Sequence, residues 1–267
     1  MGLLCRGGVA LLLLACGAEG ELDAGEQALA RGDLPAAEAA YRRALDAEPA
    51  NAEALYGLGW TWHLAGREDL ARDAFDQCVA AHPESALGYK GLGSVAMAEG
   101  NPVLARKQFD AALARSPGDL AIRHSLGLLD LSTRQYAEAE RTFVELAKEA
   151  PDRAEFQQAR AEALLGLDRA EEALLAAQKA IDLGGEPRVR ALARMTRARA
   201  LLAASAGRVD PNACARTAPA VYAWLDEADR VLDEAEATGS KISDVYETRR
   251  AVSRRRGIVD DTCPGLR

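Results

Sequence analysis

The stretch from Ala52 to Ser85 reads AEALYGLGWTWHLAGREDLARDAFDQCVAAHPES, and the next, from Ala86 to Asp119, reads ALGYKGLGSVAMAEGNPVLARKQFDAALARSPGD. Laid over one another they keep Gly57/Gly59 against Gly91/Gly93, Ala71 against Ala105, Phe75 against Phe109 and Pro83 against Pro117. Working outward, the same 34-residue step reaches Pro49 and Pro151, Gly25 and Gly127, Ala37, Ala139 and Ala173, and Tyr41 and Phe143. Four residue classes sharing one period mark an array of like units.

Within each unit, apolar residues recur at spacings of three and four, the pattern of a two-sided helix. Gly32, Gly66 and Gly100 fall mid-unit, where a turn between two helices needs a positive φ angle. Each proline stops the second helix of its unit, because it has no N–H and clashes with the preceding turn. Asn51, Ser85 and Asp119 follow two residues later and suit the N-cap of the next helix. The Gly-x-Gly pairs fall inside the first helix of two units, so they read as packing positions and not as a phosphate loop.

These positions resemble the tetratricopeptide repeat family. There a small residue stands eighth in the unit, alanine twentieth, an aromatic twenty-fourth, alanine twenty-seventh and proline thirty-second. Residues 52–85 match through Leu55, Leu58, Gly59, Trp62, Ala71, Phe75, Cys78 and Pro83. Residues 86–119 match through Tyr89, Leu92, Gly93, Ala105, Phe109, Ala112 and Pro117. The resemblance implies an all-α, right-handed helical solenoid of about five to six antiparallel helix pairs with a C-terminal capping helix. Its array spans 18–205, with units 18–51, 52–85, 86–119, 120–153 and 154–187 and a partial sixth from 188. The fifth unit has drifted: Ala161 stands for glycine, Ala177 for the aromatic, and Gly185 where proline is expected. Residues 206–267 leave the pattern. A loop is expected at 206–218, then a modified second helix at 219–237 and the capping helix at 241–256, since the last unit of such an array needs a polar cover.

The formal net charge of −8 is uneven. Residues 1–185 hold 18 Lys/Arg against 29 Asp/Glu, whereas 186–267 hold 15 against 12. An acidic array argues against a nucleic-acid groove. Residues 1–16 lie outside the period and read as a secretory signal: Arg6, an apolar run from Val9 to Ala15 too short to span a bilayer, then Leu13-Leu14-Ala15-Cys16-Gly17, which resembles a bacterial lipobox. That resemblance makes Cys16 the lipidation site. Ordinary secretion with cleavage near Ala18, or an uncleaved helical extension, stay open. Cys214 and Cys263 flank two helices that should pack antiparallel, which brings the two thiols together and favours a disulfide over two unrelated cysteines. Cys78, in a buried alanine place, reads as a small core residue.

Signals for catalysis are sparse. His63, His82 and His124 form no HExxH pair, and CxxC, P-loop and GxSxG patterns are missing from the sequence. Neither cofactor nor metal is expected, and the chain does not read as an enzyme. In the family, the first helices of the units line a concave groove through their second, fifth, ninth and twelfth places. Carried onto this sequence, those include Tyr56, Trp60, His63, Lys90, Ser94, Met97, His124, Leu128, Gln158, Glu162, Thr196 and Arg199. Tyr56 and Trp60, one turn apart beside His63, Lys90 and His124, suit a peptide anchor with a polar rim; packing of Trp60 on its neighbours is the competing explanation. The family's carboxylate clamp is not matched, because Glu26, Trp60 and Ser94 stand where asparagine is needed. Arg249, Arg250, Arg254, Arg255 and Arg256 make a basic stretch that suits either a solvated helix face or contact with lipid headgroups.

Together these readings predict a protein–protein scaffold or adaptor of the bacterial cell envelope. It is membrane-anchored through lipid and facing the periplasm or exterior, and it holds a segment of another protein. A cytosolic co-chaperone or regulatory adaptor with a misread N-terminus is the alternative, and an accessory domain of a cell-wall enzyme is a third.

Overall fold

In the computed structural model the described residues are 19–206, 208, 210–237 and 242–265. The signal segment and Cys16 lie outside them. A first helix, α1, occupies 19–30. It is followed by α2 (Leu34–Ala47), α3 (Ala52–Leu64), α4 (Glu68–Ala81), α5 (Ala86–Ala98), α6 (Pro102–Arg115), α7 (Leu120–Ser132), α8 (Tyr136–Glu149), α9 (Ala154–Gly166), α10 (Ala170–Leu183), α11 (Pro187–Ser205), α12 (Cys214–Ala237) and α13 (Ile242–Thr262). The described residues contain no strand.

The helix ends follow the punctuation of the sequence. α2, α4, α6 and α8 stop two residues before Pro49, Pro83, Pro117 and Pro151. The next helices are capped as expected: Asn51 Oδ1 accepts from the Ala54 N–H at 2.9 Å, and Ser85 Oγ from the Leu87 N–H at 3.3 Å. Asp119 Oδ1 accepts from the Ala121 and Ile122 N–H groups at 2.7 and 3.2 Å. The mid-unit turns at Gly32, Gly66 and Gly100 have φ of 73°, 71° and 70°. The same left-handed turn continues 34 residues on at Arg134 (φ 61°) and Asp168 (φ 58°), where no glycine announced it.

The chain divides into two compact units, the first ending at Leu129 and the second starting at Asp130. In the first, Tyr41, Phe75 and Phe109 are buried and each faces a glycine. A Cβ built on Gly59 would fall 2.6 Å from the Phe75 ring, and one on Gly91 in the following repeat 2.2 Å from the same ring. Gly25 and Gly57 hold Tyr41 in the same way. Tyr41 and Phe75 are thus wedges gripped by their own repeat and by the next, which is why the Gly-x-Gly pair recurs. Cys78 is buried and its thiol points at the Ala52 carbonyl.

In the second unit, α11, α12 and α13 share one core through Met195, Leu201, Val221, Leu225, Leu232, Val245, Val252 and Val259. The expected loop at 206–218 is shorter than the sequence suggested. Asp210 Oδ1 accepts from the Asn212 N–H at 2.9 Å and starts a single 3-10 turn, Pro211–Ala213, that runs straight into α12 at Cys214. Pro219 therefore lies inside the helix rather than opening it. Its missing N–H leaves the Ala215 carbonyl without its helical donor, and both residues are exposed to solvent. α13 likewise runs on to Thr262, beyond the expected 256. Cys214 and Cys263 are joined, with Cα atoms 5.5 Å apart.

Candidate functional site

Eight of the twelve candidate groove residues sit in the first unit, on the successive helices α3, α5 and α7. Tyr56, Trp60 and His63 follow one another along α3 because residues three and four apart share a helix face. The Tyr56 and Trp60 rings stack with centroids 6.3 Å apart and 13° between planes, and the His63 ring lies 5.1 Å from Trp60. From α5, the Lys90 ammonium reaches over the Tyr56 ring at 4.8 Å, a cation–π contact. Ser94 donates to the Lys90 carbonyl at 3.2 Å. Lys90, Ser94 and Met97 are half-buried on α5, as are His124 and Leu128 on α7.

Two anchors hold this ladder. Tyr56 leans on the buried Phe75 at 5.7 Å, which ties the groove surface to the repeat's wedge. His63 Nδ1 lies 2.8 Å from Glu68 Oε2 across the turn from α3 to α4. Burial, with the negative charge of Asp119 nearby, keeps the Tyr56 hydroxyl protonated well above the usual phenol range. Trp60 remains half-exposed between Tyr56 and His63. The result is a flat aromatic surface with a cation at its edge, suited to gripping an apolar side chain and a polar backbone.

Gln158, Glu162 and Arg199 belong to the second unit. Gln158 is 6 % exposed, so it lies inside the packing and not on an open surface. Its neighbours Phe156 and Gln157 are buried as well, because α9 has lost the one-sided pattern of the earlier first helices. Burial pushes the Glu162 carboxyl up, opposed by a hydrogen bond from Gln158 and by the charge of Arg199. Arg199 is exposed and Thr196 buried.

Sequence reasoning did not anticipate the setting of Trp62, which is buried between the guanidinium groups of Arg42 at 5.8 Å and Arg67 at 5.9 Å. Nor did it find Asp119 beside Tyr56, although a helix cap one repeat on was the available signal. Among the described residues, no group of three His, Cys, Asp or Glu is placed to hold a metal, and no helix is long and apolar enough to cross a membrane.

The tetratricopeptide repeat family matches residues 22–86, 65–119 and 96–163, more than half of the chain. The chain is a tetratricopeptide repeat protein. No curated protein sequence matches it. Similar solved structures include a tetratricopeptide repeat protein from Parabacteroides merdae, 18% identical with a TM-score of 0.63 over 93% of this chain and 86% of that one. A thermophilic tetratricopeptide repeat protein from Thermus thermophilus is 26% identical, with a TM-score of 0.61 over 69% of this chain and 99% of its own. Pseudomonas aeruginosa pilF is 18% identical, with a TM-score of 0.64 over 89% and 98%. These likenesses establish the helix-pair architecture, and tetratricopeptide repeats generally serve as interaction scaffolds rather than enzymes.

Proposed function

We propose that this tetratricopeptide repeat protein is a non-catalytic adaptor of the bacterial cell envelope that seats an extended segment or helix of another protein on the α3–α5–α7 surface. The observation that carries the reading is the Tyr56–Trp60–His63 ladder with Lys90 at its edge. Aromatic residues on a half-exposed, well-anchored surface dominate the energetics of protein recognition. Gln158 drops out of the groove because it is buried.

The envelope part of the reading rests on the sequence around Cys16 and on the cysteine pair. A lipid-modified Cys16 would hold the protein on a membrane, where at least two acyl chains give stable anchoring. It would raise the effective concentration of partners on the same surface. A disulfide between Cys214 and Cys263 suits an oxidising compartment. Of the basic stretch, Arg249 and Arg256 pair with acids of α12 and Arg255 donates to the Ser205 carbonyl. That leaves a minor role at most for lipid contact there.

Two measurements test the reading. Replacing Cys16→Ser releases the protein from membranes on fractionation; unchanged membrane association removes the anchor, and a cytosolic wild type favours the co-chaperone alternative. A crosslinked pull-down compares wild type with Trp60→Ala/His124→Ala. One partner lost from the variant supports the groove, and equal recovery rejects it.

A further inference from the structure

α13 is attached to the end of the second unit by an unusual seat. Along α13, Val245, Val252 and Val259 face the core, spaced seven apart, with Cys263 just beyond the helix end. Four residues after each valine comes the group that grips α12. Arg249 binds Asp233 and Glu236, at 2.8 and 3.4 Å. Arg256 binds Asp226 and Asp229, at 2.6 and 3.0 Å. After Val259 the same place is taken by Cys263, bonded to Cys214. The rungs run in reverse order along α12, as antiparallel helices require, and the Tyr222 hydroxyl donates to Asp260 between the last two. The ladder toward α12 therefore has two ionic rungs and one covalent rung over a narrow apolar strip, and Arg255 adds a hydrogen bond to the Ser205 carbonyl of α11 at 2.6 Å.

The ionic rungs are weak fasteners. The carboxylates they use are largely open to solvent, apart from Asp229, and such pairs contribute little and are screened by salt. The strip of single valines covers Val221, Leu225 and Leu232 of α12, which belong to the same core. Of the three rungs, the covalent one is not screened by salt. The two cysteines differ in exposure: Cys214 is only partly buried, whereas Cys263 is 2 % exposed.

We propose that α13 is a thiol-latched lid, closed when Cys214 and Cys263 are bonded and released when a dithiol reduces them. A thiolate of the dithiol attacks Cys214 Sγ, forming a mixed disulfide and expelling Cys263 as a thiolate that takes a proton from water. The second thiol of the dithiol then displaces Cys214, leaving two protein thiols and one oxidised dithiol. With the latch open, the two arginine rungs no longer hold α13 continuously, and the α12 strip meets solvent. This inference is independent of what the first unit binds.

Hydrogen exchange by mass spectrometry on the full chain tests it, comparing oxidised protein, protein reduced with dithiothreitol, and Cys214→Ala/Cys263→Ala. Reduction is expected to speed exchange in α13 at least tenfold while peptides from 52–115 stay unchanged. The double variant should show the fast exchange without reductant and no response to it. Raising salt should accelerate α13 further in the reduced protein and barely in the oxidised one. Three results overturn the proposal: both cysteines alkylated in the oxidised protein, α13 equally protected after reduction, or loss of protection across the whole second unit at once. The last would make the bridge a general staple instead of a latch.

Discussion

Replacing Gly91→Ala puts a methyl group where the repeat has no room for one. Its Cβ would stand 2.2 Å from Phe75 Cδ1, well inside the separation of about 3.5–4.0 Å at which carbon atoms attract. The Phe75 ring cannot retreat. It is fully buried, Gly59 approaches it from its own repeat, and the Tyr56 ring lies 5.7 Å away. Overpacking of this kind costs roughly 1–3 kcal/mol. The better helix propensity of alanine returns about 1 kcal/mol. The expected net loss is about 0–2 kcal/mol, the difference of those terms. Phe75→Leu alone should cost roughly 1–2 kcal/mol through lost burial and a small void. The two together should cost less than the sum, with a coupling of about 1 kcal/mol or more, because the smaller side chain clears the methyl's place. Denaturant unfolding followed by tryptophan fluorescence reads all four proteins, since Trp60 and Trp62 lie in the same repeat. A more stable Gly91→Ala protein, or strictly additive effects, would refute the wedge-and-glycine account of how neighbouring repeats lock.

Three further substitutions probe separate parts of the account. Asn51→Ala removes the acceptor for the Ala54 N–H and should cost about 1 kcal/mol by thermal or chemical unfolding, as lost N-caps do. Burial, helped by the charge of Glu26, pushes the Tyr41 phenol up to about 12 from an ordinary value of 10.0. Its folded pKa is raised, so the stability it lends is complete below the unfolded value and fades as pH climbs from about 10 toward 12; Tyr41→Phe should unfold less readily than wild type in that window and about equally at pH 8. Burial also raises the Glu162 carboxyl, so Glu162→Gln should raise Tm at neutral pH, the gain shrinking as pH falls through the carboxylate range.

The architecture was legible wherever a residue type was dictated by backbone geometry or by lack of space. Pro83 and Pro117, the turn glycines and the Gly-x-Gly pairs all belong to that class. The turns at Arg134 and Asp168 kept the period and the positive φ without glycine, so residue type did not announce them. Gln158 was misplaced for a related reason: the groove pattern came from position alone, and the drift of α9 turned that position inward. The helix containing Pro219 was read five residues late, since the Asp210-capped 3-10 turn that precedes it leaves no strong mark in sequence. The aromatic ladder was legible as a spacing, but its anchoring by Phe75 and Glu68 within the repeat and by Lys90 from the next depended on side-chain contacts that spacing does not give.

The central claim is that the α3–α5–α7 surface holds a partner, and site-specific photocrosslinking in the native cell tests it most directly. A photoreactive residue at Ser94, beside the ladder, is compared with one at Leu175, which is 74 % exposed on α10. The account predicts a discrete adduct from position 94, abolished by Trp60→Ala, and none of matching size from position 175. Adducts of equal yield from both positions, or an adduct at 94 indifferent to Trp60→Ala, would contradict it.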